Sequence, residues 1–416
     1  MRPGARTVGM LIGVALLLMV PMSSGAGQEN SATPGSAPSP VSDLTIVEQR
    51  DFSLPNRRIL GLSPDGRWLA TISADSEAQT LCAHATAAIA EAPHCAALSS
   101  SQVDPGSVTW SPDGSRLAFA EIAARGGGDS DVWTFEAATG TLVNLTEDEV
   151  TSEPGVSPAG HPDLGPVPVD TWPAWSPDGQ TLAFARQVWD RSLREAAIYA
   201  VPATGGTPTR LHQLEPDGGC CSVSGLRWMP DGKQLVFSIF VSPDDHPANG
   251  LWIVGSDDAA PLLVASHHEK LERPFLIEVA PRGDFALVSD ANVALGESPF
   301  ALVNLATGNV EPVERLLPDR SLIPFMQSVA FSPDGSRLLY FVPAAPQSLA
   351  ANLVVREMDS DSEQTILALD ERTRLTSVVP ARGLAWATDG TVFIQTGLDT
   401  GRLLRVSDAG GDQLPE

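Results

Sequence analysis

Seven times along this 416-residue chain a bulky apolar residue runs into a turn of the form Ser-Pro-Asp-Gly. Trp110-Ser111-Pro112-Asp113-Gly114, Trp175-Ser176-Pro177-Asp178-Gly179 and Phe331-Ser332-Pro333-Asp334-Gly335 are intact copies. Leu62-Ser63-Pro64-Asp65-Gly66 and Trp228-Met229-Pro230-Asp231-Gly232 are slightly worn. Val279-Ala280-Pro281-Arg282-Gly283 and Trp386-Ala387-Thr388-Asp389-Gly390 are degraded but keep the closing glycine. Successive glycines lie roughly 48 to 65 residues apart, the period of a propeller-type array rather than of a helical solenoid.

Each turn residue has its own task. Proline sets φ for the second position of a type I turn, aspartate tolerates the third, and glycine supplies the left-handed conformation that closes the hairpin as a bulge. Serine at the first position can bond to the turn's own backbone. A strand follows with period-two alternation: Leu117 and Phe119, Leu182 and Phe184, Leu235 and Phe237, Leu338 and Tyr340. Third and fourth strands follow most hairpins, as in 131–135 and 141–145 around the turn at Thr139-Gly140. A lone meander cannot bury both faces, but a ring of them can. The expected fold is all-β: seven four-stranded antiparallel blades, with six or eight as the alternative counts. The seventh unit has little chain after its third strand at 402–406, whereas 43–49 alternates suitably. The prediction is that 43–49 becomes the outer strand of the last blade and closes the ring.

A Trp-Ser-Pro-Asp-Gly turn, a Leu-x-Phe strand and then an Asp-x-Trp strand such as Asp131-Val132-Trp133 with a Thr-Gly turn together resemble the WD-repeat-like propeller family. Its best-known members are periplasmic TolB-type propellers and the propeller domains of prolyl oligopeptidase-like enzymes. The resemblance covers nearly all of the chain after about residue 43. It implies architecture more than activity, since the family mixes binding proteins with accessory domains of hydrolases.

The N-terminus carries Arg2 and Arg6, an apolar run from Val8 to Val20, then Ser24-Gly25-Ala26, a secretory signal pattern with a cut after Ala26. The run is too short for a comfortable bilayer span of roughly 20 residues, so no stable membrane span is expected. Residues 27–42, rich in Ser, Pro, Ala and Gly, read as a flexible leader, and 43–416 as the propeller. The formal charge of −25 disfavours nucleic acid, which wants a basic face. Part of that charge is turn chemistry: Asp65, Asp113, Asp178, Asp231, Asp334 and Asp389 belong to the repeats.

Four cysteines in an exported chain point to disulfides. Cys82 falls on the third strand of the first blade and Cys95 at the start of the fourth, so they can face each other. Cys220 and Cys221, adjacent in a Gly-rich stretch, are candidates for a vicinal bond. Cys82, His84, His94 and Cys95 also offer two sulfurs and two nitrogens to zinc, but their spacing matches no standard knuckle. No metal or other cofactor is expected.

No Gly-x-Ser-x-Gly elbow with a following helix occurs, and no P-loop or Gly-x-Gly-x-x-Gly. Asn144-Leu145-Thr146 fits a glycosylation acceptor but falls on a strand. The expectation is a non-catalytic monomer that binds a protein, peptide or envelope glycan outside the cytoplasm. A carbohydrate-active lyase or hydrolase on the same scaffold, or an accessory subunit of a separate enzyme, are the alternatives. In a four-stranded blade the short turns mark one end of the ring and the longer loops the other, where function usually concentrates. The candidates there are His161 and Trp172 around the insertion 147–171, and Trp189, Asp190 and Arg191 in 187–195. Asp244, Asp245 and His246 lie in 241–249, and His267, His268 and Arg273 in 267–273.

Overall fold

The structure is a computed structural model. It describes residues 44–73, 79–98, 101–123, 130–148, 167–190, 192–214, 222–241, 246–255, 260–266, 271, 274–290, 300–313, 329–344, 351–360, 362–369, 383–397 and 400–408.

Seven antiparallel sheets follow one another along the chain, each ordered from an inner to an outer strand. Blade one comprises Arg57–Leu62, Trp68–Ser73, Thr80–Ala85 and His94–Ala97. Blade two comprises Thr109–Trp110, Arg116–Ala123, Val132–Glu136 and Leu142–Asn144, with Ser101–Val103 also pairing to its second strand. Blade three runs through Val167–Trp175, Thr181–Asp190, Ser192–Pro202 and Thr209–Leu214. Blade four has Ser222–Trp228, Gln234–Phe240, Gly250–Gly255 and Leu262–Ser266, and blade five Pro274–Val279, Phe285–Asp290, Phe300–Asn304 and Val310–Pro312. Blade six has Val329–Phe331, Arg337–Pro343, Ala351–Glu357 and Glu363–Leu369. The seventh is built from both ends of the described residues: Leu384–Trp386, Val392–Gly397, Thr400–Asp408 and then Leu44–Ser53. The fold is thus the expected seven-bladed propeller. The closing strand pairs from Leu44↔Asp408 to Ser53↔Thr400, four residues further than the alternation of 43–49 suggested.

The turn chemistry explains why the repeats are so regular. In each intact copy the serine carbonyl accepts the glycine N–H, at 2.9 Å from Gly114 to Ser111 and 2.8 Å from Gly335 to Ser332. The serine hydroxyl donates to the aspartate carboxylate at 2.6 Å in the turns of Ser63, Ser111, Ser176 and Ser332. It also accepts the N–H that opens the next strand, as Arg116 donates to Ser111 Oγ at 2.9 Å. These hydroxyls are buried and fully engaged. The serine bond, with backbone N–H donors, holds Asp334 down at about 2 and lowers Asp113 and Asp178. At Gly66 (φ 67°) a side chain would meet the Phe393 ring of blade seven at 2.2 Å, so the turn also seats one blade on the last.

The core sits between blades rather than within them. Seven hydrophobic clusters occur, one at each junction. Leu117 and Phe119 of blade two meet Leu60, Ile72 and Leu81 of blade one. Phe52 and Leu403 of blade seven meet Ile59, Leu62 and Leu69 of blade one. The Leu-x-Phe pattern therefore counts interfaces: Phe119, Phe184, Phe237 and Tyr340 are wholly buried, each contributing about 2 to 3 kcal/mol by area.

A chain lacking residues 43–50 leaves Thr400–Asp408 as an open edge and strips the junction beside Phe52. Its melting temperature should fall by roughly 10 °C or more, the equivalent of several kcal/mol in a protein of this size. An unchanged calorimetric melt would show that the ring does not depend on this strand.

Candidate functional site

The inner strands end one residue before each turn, so the bulky repeat residues converge on the ring centre. Trp110, Trp175, Trp228, Phe331 and Trp386, with Leu62 and Val279 in the two remaining blades, line a cavity of about 310 Å³ at the short-turn end of the channel. Pro64, Pro112 and Pro281 form part of its rim, and Ile277, Val329 and Leu384 add apolar wall. The indoles are held in place by the neighbouring blade. Trp175 Nε1 donates to the Thr109 carbonyl at 3.4 Å and Trp228 Nε1 to the Ala174 carbonyl at 3.2 Å. Arg116 stacks over Trp175 at 4.9 Å and Arg337 over Trp386 at 5.4 Å, contacts that fix ring orientation before any ligand arrives.

The charged side chains of this funnel are Arg227 and Glu278, from the inner strands of blades four and five, 3.6 Å apart. Arg227 is mostly covered and also donates to the Leu226 carbonyl, whereas the Glu278 side chain keeps 37% of its surface. An aromatic, preformed cavity with one half-open ion pair suits recognition of an extended apolar segment or a sugar face.

The long-loop residues singled out in the sequence fare differently. Trp172 lies on the inner strand of blade three at a bulge between Thr171 and Ala174. Its ring meets Phe275 of blade five edge-to-face at 5.0 Å, three residues upstream of Trp175 on the same strand. Its φ of 55° is left-handed, a strained conformation for a bulky residue that the surrounding packing must enforce. His246 is half-buried and holds a turn: its Nδ1 accepts the Ala248 N–H at 3.2 Å, and its carbonyl accepts that of Asn249. Trp189 and Asp190 fall on a strand, and 187–195 is a correction to the loop expected there. The second and third strands of blade three pair as far as Asp190↔Ser192, so backbone pairing carries the hairpin through polar residues that read as a loop. Residues 167–171 are likewise strand rather than insertion. His161, Arg191, Asp244, Asp245, His267, His268 and Arg273 lie outside the described residues, as do Cys220 and Cys221.

Cys82 and Cys95 are cross-strand partners joined by a disulfide. With both sulfurs committed, they do not form a zinc set with His84 and His94; His94 instead stands edge-on to Trp68 at 5.9 Å. His84 is buried, its Nε2 3.1 Å from Thr71 Oγ1 and its Nδ1 without a partner. Burial, then the Arg57 charge, hold its imidazole down at about 4.

A buried ion pair at the opposite end of the ring has no counterpart among the sequence motifs. Asp170 is 1% exposed and takes two bonds from Arg186, Nε at 2.7 Å and Nη2 at 2.6 Å. Arg186 also lies over Tyr199 at 5.2 Å. Burial pushes the Asp170 carboxyl up to about 6 against the pull of Arg186. Nearby, Asp131 accepts from Asn144 Nδ2 at 2.7 Å and from Thr146 Oγ1 at 3.3 Å, so the glycosylation-like triplet serves the blade's own bonding.

No family model matches the chain. The uncharacterised peptidase YuxL of Bacillus subtilis is 31% identical over 133 residues, which is 31% of this chain but only 16% of that protein. Among solved structures, an oligogalacturonate lyase from Vibrio parahaemolyticus superposes with a TM-score of 0.53 at 12% identity, covering 88% of this chain and 98% of the lyase. TolB from Acinetobacter baumannii gives 0.41 at 15% identity over 86% of this chain and 66% of TolB. At such identities the likeness is one of fold, and the propeller implied by the repeats is the fold observed.

Burial of His84 and of Asp170 acts in opposite directions on stability. The unfolded chain protonates His84 near 6.5 and the folded one near 4, so this group's stability is present above 6.5 and lost as pH falls. For Asp170 the folded value lies above the ordinary 3.8, so its contribution is greatest in acid and fades as pH rises from about 4 to 6. His84→Gln should reduce the stability lost between pH 7 and 4.5 by on the order of 2 kcal/mol, read from urea unfolding of both proteins. Identical pH dependence would refute the buried-neutral assignment.

Proposed function

We propose that this chain is an exported, non-catalytic propeller that binds an extended segment of a protein partner in the funnel at the short-turn end. The observation that carries the reading is the convergence of one repeat residue from every inner strand on a single preformed aromatic cavity beside Arg227 and Glu278. The sequence placed recognition at the long-loop end and treated the repeat face as purely structural. The funnel lies at the repeat turns, and the proposed site is placed there. The Cys82–Cys95 bond and the signal-like N-terminus support an oxidising, extracytoplasmic location. Among the described residues no helix is long and apolar enough to cross a membrane.

The half-open Glu278 carboxylate, in a chain of net charge −25, favours a partner segment that pairs an aromatic or aliphatic anchor with a cationic residue. The fold likeness to a lyase makes a sugar chain the ligand to test against it. Peptides selected on the immobilised protein should carry that anchor-plus-cation signature and cross-link to the funnel. Glu278→Gln should weaken them about tenfold, roughly 1.4 kcal/mol, with the melting temperature unchanged. Cross-links mapping elsewhere, or oligogalacturonate fragments binding the funnel in preference to peptides, would overturn the reading.

A further inference from the structure

A second cavity, of about 440 Å³, lies where the ring is closed and shares no residue with the funnel. It is wedged between blade seven and the turns of blade one. Glu48 and Arg50 come from the closing strand, Arg405 from the strand beside it, and Asp65 and Arg67 from the first repeat turn. Its apolar wall is formed by Trp68, Phe393, Leu403 and Leu404, with Ala85 and Ala87 at the side.

The charges do not balance. Glu48 serves two guanidiniums, accepting from Arg50 Nε at 2.7 Å and lying 3.2 Å from Arg405 Nε. Arg67 pairs with Asp65. Three cations thus face two carboxylates, a local positive excess in a chain whose total is −25. Arg405 Nε is buried and makes no hydrogen bond, even to Glu48 at that distance. The Arg405 guanidinium, paired with Glu48 but 39% exposed and with no hydrogen bond at Nε, stands at the edge of an aromatic wall with donors left for a second carboxylate.

We propose that this seam binds a small amphipathic carboxylate. The alkyl or aryl body lies against Trp68, Phe393 and Leu404, and the carboxylate sits between Arg50 and Arg405. The volume accommodates a molecule of about 10 to 20 non-hydrogen atoms. Because its walls come from the first strand, the last strand and blade one, the site exists only in the closed ring. A ligand there stabilises closure by mass action, independently of what the funnel binds.

The test uses the full chain with decanoate and 4-phenylbutyrate as probes, and decanol, 4-phenylbutanol and decylamine as controls, followed by calorimetric titration and thermal melting. Both carboxylates should bind saturably and raise the melting temperature; the alcohols and the amine should bind at least tenfold more weakly. Arg405→Met should lower carboxylate affinity at least tenfold. Ala87→Trp, which fills the cavity from an exposed position and leaves every charge in place, should abolish binding in a protein that still melts cooperatively. Absence of saturable carboxylate binding, equal binding of the alcohols, or binding untouched by Ala87→Trp would each overturn the assignment.

Discussion

The pairing of Leu44–Ser53 with Thr400–Asp408 is the interaction on which the ring depends. Every blade is an open four-stranded sheet whose faces are covered only by its neighbours, so an unclosed array would expose an apolar face at each end. By completing blade seven with the first strand, the chain brings Phe52 and Leu403 onto Ile59, Leu62 and Leu69 and makes the seventh junction like the other six. Stability is therefore shared around the circle, and the longest-range contact in sequence is the one that completes it.

The repeat turn combines three roles that could have been separate. Its serine and aspartate satisfy buried donors and acceptors, its glycine lets the turn lie against the preceding blade, and the residue just before it lines the channel. The third role follows from the first two. Once seven turns are stacked in register, seven bulky residues must face the same axis. The funnel is thus a by-product of the fold's own closure chemistry, interrupted where the residue before the turn is not aromatic.

The blade count, the closing strand and the Cys82–Cys95 bond were legible because each rests on local periodicity: a turn every blade, alternation every second residue, and facing positions on adjacent strands. The funnel was only half legible. Repetition of Trp110, Trp175, Trp228 and Trp386 was plain, but a repeated residue reads as structural until its side chains are seen to converge. The pair of Asp170 and Arg186 left no local signature, since its partners lie 16 residues apart on strands whose register only the fold defines. The hairpin at 187–195 left no such signature, since its run of polar residues carries no alternation and only backbone pairing between the two strands defines it.

The two repeats with no aromatic residue before the turn give the funnel a direction. Where five blades contribute an aromatic ring, blade one offers Leu62 and blade five Val279, and the latter stands beside Glu278 and Arg227. The aromatic wall is therefore interrupted at the place where the charged pair enters. An ion pair whose acid keeps 37% of its side chain open contributes little to the stability of the ring. Under the proposed function the pair would instead orient a ligand, its polar end drawn toward blades four and five and its apolar body laid on the tryptophans of the other arc. On that reading Trp175 and Trp228, held by backbone bonds, and Trp386, under Arg337, supply shape, and selectivity falls to the few side chains that the repeat does not dictate.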